Sequence, residues 1–250
     1  MRSLAIRDME EALDNTRDQI LHYRRAGRSV VSISWASPRI TDRGDYINIK
    51  MIEILRSYYD SGIYIVCSAG NYAMDLDEIG RPRTWVDTLP ACYPLFPPPL
   101  TSNLNFPIVV SSCDNDGFHY QTSQQAPSYS LSAPGVNIIC ADAFTVTDVE
   151  FSTGTSFCES PKYGDITRSD ASVVAAPLVA GVLADFLASG QISKQLDIGD
   201  LNELLVRKAS WYRGYGSGPP TIWNMIDIEH NKPALTYANA SFFNVNASFF

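Results

Sequence analysis

The tightest constraint on the fold of this chain is a pair of short apolar runs, each arriving directly after a helical pattern. Ser29-Val30-Val31-Ser32-Ile33-Ser34-Trp35 and Ile63-Tyr64-Ile65-Val66-Cys67-Ser68 are β-prone and largely apolar, as expected of strands covered on both faces. Ahead of the first run, Ile6, Met9, Leu13, Thr16, Ile20 and Tyr23 recur at spacings of three and four. They draw one face of a helix over about 6–24, with Gly27 as its stop. Ahead of the second run, Ile49, Ile52 and Leu55 predict a helix over about 46–59, before Ser61-Gly62. Helix, strand, helix, strand at this spacing needs right-handed crossovers, and these build a parallel sheet.

Residues 72–105 read as loop, with Pro82, Pro90, Pro94 and the run Pro97-Pro98-Pro99. A stretch this long without periodicity is functional or wraps a surface. A third strand is expected over 106–112, followed by the turn Asp114-Asn115-Asp116-Gly117. Short strands over 129–133 and 136–141 flank Pro134-Gly135, and helices follow over about 175–188 and 200–208. The segment from Tyr215 is rich in Gly, Pro and Asn, repeats part of itself near the end, and receives no fold.

Charge excludes one class of partner. Nineteen Lys+Arg against twenty-seven Asp+Glu leave a net charge of −8, too little cationic material to track a phosphate backbone. Nucleic-acid binding is therefore not expected. No apolar run approaches the roughly 20 residues that cross a bilayer, and Met1–Asp8 breaks into charge before a signal-type apolar region can form. The five cysteines occur singly, without the paired spacing of a zinc or thioredoxin-type site. Cys67 and Cys140 lie inside apolar runs and read as small buried hydrophobes.

Four motifs, in order, carry chemistry: Val30-Val31-Ser32-Ile33-Ser34-Trp35, Val66-Cys67-Ser68-Ala69-Gly70-Asn71, Ser132-Ala133-Pro134-Gly135, and Gly154-Thr155-Ser156, with Ala176-Pro177-Leu178-Val179-Ala180-Gly181 beyond. Over about 6–208 the chain resembles the C-terminal two-thirds of the catalytic domain of a subtilisin-like serine peptidase. The resemblance implies an α/β, subtilisin-like three-layer fold: a mostly parallel sheet between helices, its N-terminal part missing. Residues 1–212 would form a partial peptidase domain and 213–250 an unassigned tail.

A serine nucleophile needs a base for its proton and donors aimed at the oxyanion that forms on the scissile carbonyl. By resemblance, Ser156 is the nucleophile and Asn71 donates its side-chain amide to the oxyanion. Asn71 stands where a parallel strand ends, the edge at which α/β sheets meet ligands; its plain reading is a turn-forming Asn after Gly. Ser34, Trp35 and Ala36 occupy the position of the extended edge that pairs with substrate backbone, a mode that needs only main-chain groups. Trp35 reads equally well as core.

Two features depart from the family pattern. The family's Asp and His precede the Ser along the chain, and neither is found: His22 falls within the first helical pattern, His119 and His230 follow Asn71 and read as solvated loop residues, and Asp14-Asn15-Thr16 is not the family's Asp turn. This chain by itself is then expected to be inactive, and a catalytically inactive peptide-binding protein or a gene fragment is the alternative. The family's Ser also lies four residues before its Pro, whereas residues 158–174 separate Ser156 from Pro177. That segment reads as a surface loop or as a translated intron. Ser172, five residues before Pro177, is a rival nucleophile without the Gly-Thr.

The resemblance further implies a polypeptide substrate, a secreted monomer and no cofactor; structural calcium has no complete acidic ligand set to support it. Two sequons, at Asn239 and Asn246, suit a secreted chain.

Overall fold

The computed structural model describes residues 2–37, 39–40, 46–96, 106–114, 117–126, 130–136, 138–141, 151–154, 171–190, 205, 210–211 and 219–222. Helix α1 (Arg2–His22) leads into β1 (Val30–Ile33), and α2 (Tyr46–Asp60) into β2 (Tyr64–Ser68). Strands β3 (Ile108–Cys113) and β4 (Ser130–Pro134) follow. A hairpin pairs β5 (Ile138–Ala141) with β6 (Phe151–Gly154), and α3 (Ala171–Ser189), β7 (Ser210–Trp211) and β8 (Thr221–Ile222) complete the described elements.

The sheet order is β1-β2-β3-β4-β8-β7. Neighbours from β1 to β8 pair in parallel and only the β7–β8 pair is antiparallel. Every residue of β2 and β3 is buried, which requires cover on both faces and accounts for the absence of alternation in their sequences. α3 packs on β1 through β4, and α2 packs on β2 and on α1.

α3 can cross four strands because its buried stripe begins small. Ala175, Ala176, Val179, Ala180, Leu183, Phe186 and Leu187 are buried at helical spacing. The helix starts at Ala171 rather than near 175 and carries Pro177 inside it. Pro177 has no N–H to offer the Val173 carbonyl, so one ladder bond is missing there. Residues 171–174, read as part of the interruption, are thus the first turn of α3, and Ser172 lies in that turn.

The α1–α2 contact is polar as well as apolar. The Tyr58 hydroxyl donates to the Leu13 carbonyl at 2.6 Å, and Arg17 Nη1 donates to Ser57 Oγ at 2.7 Å. Burial pushes the Tyr58 phenol up to about 12, so it remains a donor. Glu10, nearly fully buried, meets Lys50 Nζ at 3.0 Å.

The two helices end by the same device. In α2, Ile63 N donates to Tyr58 O and Gly62 N to Tyr59 O, with Gly62 at φ 68, a Schellman ending. In α1, Arg25 N donates to Ile20 O and Arg24 N to Leu21 O, with Arg24 itself at φ 54. The stop is therefore Arg24, three residues before Gly27, and Gly27 instead donates its N–H to the Gly62 carbonyl at 2.8 Å. β8 falls in the segment to which the sequence assigned no fold; there the Pro220 carbonyl accepts from Ser132 N at 2.7 Å.

Candidate active site

Parallel pairing sets Ile33 beside Cys67, so the chain leaves β1 and β2 at the same edge of the sheet. Ser34, Trp35 and Ala36 therefore leave the sheet by the edge from which Ala69, Gly70 and Asn71 also leave. All three of Ser34, Trp35 and Ala36 are half-buried, and Trp35 packs against the core cluster, so its core reading holds. Farther on, Ser37 N donates to Leu89 O at 2.8 Å, Ser37 Oγ accepts from Leu89 N at 2.9 Å, and Ile40 N donates to Asp87 O at 2.9 Å.

The turn carrying Asn71 is held at four successive points. Ala69 N donates to Val110 O of β3 at 2.8 Å, Gly70 O accepts from Gln124 N at 2.9 Å, and Ala73 N donates to Thr122 O at 3.0 Å. Between them the Tyr72 ring lies under the Arg83 guanidinium, 4.7 Å from centroid to Cζ. Asn71 is half-buried within this frame.

Behind the turn lies a polar hub absent from the sequence reading. Gln124 is fully buried, and its Nε2 donates to Arg83 O at 2.9 Å, Trp85 O at 2.8 Å and Asp87 Oδ1 at 3.0 Å. Asp87 takes Arg83 as a fork, Nε to Oδ2 at 2.6 Å and Nη2 to Oδ1 at 2.9 Å, and Arg39 Nε approaches its Oδ2 at 3.1 Å. The hydrogen bond to Asp87 raises the Arg83 pKa despite partial burial. Gln124 Oε1, by contrast, is buried without a hydrogen-bond partner, an arrangement that costs about 1–3 kcal/mol. Neither Gln124 nor Asp87 sits in a recognisable local motif; only the return of residues 120–125 to the β2 turn brings them there.

Ser156 lies outside the described residues, as do His230 and the segment 155–170. Gly135 N donates to Cys113 O at 3.0 Å at the carboxyl edge of the sheet, β5 begins three residues later, and Gly154 pairs with its first residue, Ile138. Three residues span at most about 10 Å, so Gly154, the last residue of β6, lies near that edge.

The described histidines stand apart from Asn71 in role. His22 is exposed on α1 with its ring edge-on to Tyr23. His119 is not the solvated loop residue the sequence suggested: it is half-buried, because its loop folds back and brings Nε2 to 2.8 Å from the Ser123 carbonyl. That contact makes Nε2 the protonated nitrogen and leaves Nδ1 buried without a partner. Burial therefore lowers the His119 pKa, and the Ser123 contact only partly offsets it.

A depressed histidine pKa means that the unfolded chain takes up protons first. The stability from neutral His119 is complete above its ordinary pKa near 6.5 and is lost as pH falls through the lower folded value. Urea midpoints are expected to drop across this window, and to drop less in His119→Gln, which keeps a donor to Ser123. Equal slopes in both proteins would contradict the assignment.

Cys67 and Cys92 are buried, and desolvation pushes the Cys67 thiol up, so it is a poor nucleophile. Among the described residues no three His, Cys, Asp or Glu side chains gather as a metal site, and no helix is long and apolar enough to cross a membrane.

The sequence profile of the subtilase family matches residues 4–232, nearly the whole chain. The chain belongs to the subtilase family. Solved structures similar to this subtilase include a cold-adapted subtilisin-like serine proteinase, 20% identical, with a TM-score of 0.52 over 81% of the subtilase and 57% of that chain. The prenylagaramide maturation protease PagA is 17% identical, with a TM-score of 0.51 over 85% and 60%. The PatG macrocyclase in complex with peptide is also 17% identical, with a TM-score of 0.52 over 83% and 49%. At these identities the likeness concerns the fold, and the subtilase spans between half and three-fifths of these chains. A comparison with curated proteins finds no match. Membership supports serine-type peptidase chemistry in general, and the α/β fold with its parallel sheet flanked by helices is that of the family.

Proposed function

We propose that this chain contributes the acyl-transfer edge of a serine endopeptidase. In this reading Ser156 Oγ attacks the scissile carbonyl, Asn71 donates to the oxyanion that forms, and Ser34, Trp35 and Ala36 pair with the substrate backbone. The observation that supports it most directly is the β1–β2 register, Ile33 beside Cys67, by which the chain leaves both strands at one edge of the sheet. Return of β6 to the same end of the sheet supports Ser156 over Ser172 as the third member.

The chemistry asks for one more group. Attack by Ser156 transfers its proton to a base, and removal of that base leaves only the residual catalysis of oxyanion binding. His22 and His119 do not fill that role: one is exposed on α1 and the other is turned into its own loop. The substrate class is polypeptide, and a secreted monomer without a cofactor fits the sequons and the negative charge.

A fluorophosphonate probe tests the reading. With the base supplied, as in a longer chain that carries the family's Asp and His, covalent labelling mapped to Ser156 and abolished in Ser156→Ala is the expected result. No labelling of that longer chain in a cooperatively folding sample would reject it, in favour of a groove that binds peptides without cleaving them.

A further inference from the structure

We infer that Gln124 is a positioning residue for Asn71, an inference that rests on the oxyanion role proposed above. The surroundings of its amide fix which way the group faces. Two backbone carbonyls and a carboxylate, of Arg83, Trp85 and Asp87, surround one end of the group. Acceptors there require the NH2 end, so the oxygen must point the other way. What it faces is Gly70: a Cβ built on Gly70 would come within 2.3 Å of Oε1.

Gln124 therefore holds the Gly70–Asn71 peptide twice. Its backbone N–H fixes the Gly70 carbonyl at 2.9 Å, and its side-chain oxygen closes over the Gly70 α-carbon. The side chain cannot retreat, because its other end is pinned to residues 83–87, themselves locked by the Arg83–Asp87 fork. Gly70 adopts φ 104, and the following peptide plane sets the direction in which Asn71 projects its side chain. An amide kept only for stability would pair both of its ends; here Oε1 has no hydrogen-bond partner in the protein. Its position fits a group retained to hold the turn against the load of a bound substrate.

The test pairs Gln124→Met, close in size but without donors, with Asn71→Ala. In a form of the protein that carries the catalytic base, Q124M is expected to lower kcat about 10-fold or more with KM within about twofold; in the chain itself it is expected to shift the Asn71 side-chain amide resonances in 15N spectra. In the Asn71→Ala background Q124M should add no further loss of kcat, since it acts through Asn71. An equal loss in both backgrounds, or unchanged kcat and Asn71 resonances, overturns the inference. If Asn71→Ala alone leaves kcat unchanged, the oxyanion role fails, and the resonance shift then decides separately whether Gln124 sets the turn. Should Q124M not fold, hydrogen exchange of the wild-type Gln124 amide decides: protection comparable to β2 supports the clamp, and exchange at the rate of an exposed loop overturns it. Neither NMR measurement requires turnover.

Discussion

Asn71→Ala, in a form of the protein that carries the catalytic base, is expected to lower kcat by about 10²–10³-fold and leave KM nearly unchanged. That magnitude was measured on the oxyanion asparagine of subtilisin itself and is carried over from it. The physical reason for the split is that charge builds on the carbonyl oxygen only as the tetrahedral species forms. A donor aimed at that position binds the transition state more strongly than the substrate, so its loss appears in the turnover step. Steady-state kinetics on a chromogenic peptide check this, or, where turnover is too slow, the second-order rate of fluorophosphonate labelling. A rise in KM at constant kcat would assign Asn71 to substrate binding instead. The fold should be untouched, since Asn71 is half-buried in a turn held by the backbones of its neighbours.

Gly70→Ala has the largest expected effect on stability. Two costs meet at one atom. At φ 104 a side-chain-bearing residue is strained, worth about 1–3 kcal/mol. The new methyl would also lie 2.3 Å from Gln124 Oε1, and forcing apart a packed contact costs a further 1–3 kcal/mol or so. Long side chains usually yield to such a clash; this one is held at its NH2 end, whose two N–H groups are shared among three acceptors. A loss of about 3 kcal/mol or more in urea unfolding is expected. Pairing Gly70→Ala with Gln124→Ala separates the two terms: opening space should recover the contact cost and leave the backbone cost. If the double variant is simply the sum of the singles, the two residues do not touch as described.

The β2 turn illustrates how far a sequence can be read. Asn71 stands out because Ile63–Ser68 is apolar without a break and the chain must turn directly after it, so strand, edge and site residue all follow from one local pattern. The same holds for α2, whose apolar face and Gly62 ending are both local. Arg24 shows the limit. It closes α1 in a conformation that favours Gly, and nothing nearby in the sequence marks it over Gly27. β7 and β8, two residues each, are too short to show a period at all. α3 was hidden differently: Pro177 is a strong sign of a helix start, yet the helix begins at Ala171, more than a turn ahead of it.

Gln124 and His119 were illegible for a common reason. Each owes its state to contacts that its loop makes on folding back, Gln124 against residues 83–87 and His119 against Ser123. Burial of a polar group is a property of the packed chain, and an isolated Gln or His in a loop carries no mark of it. Local periodicity and motif order determined the α/β class, the parallel sheet and the candidacy of Asn71 and Ser156, because backbone pairing and apolar burial act on neighbouring residues. Only the tertiary structure decided that the chain leaves β1 and β2 at one edge of the sheet, and that a glutamine from another loop grips the Asn71 turn. Both depend on strand register and loop return, which join residues far apart along the chain.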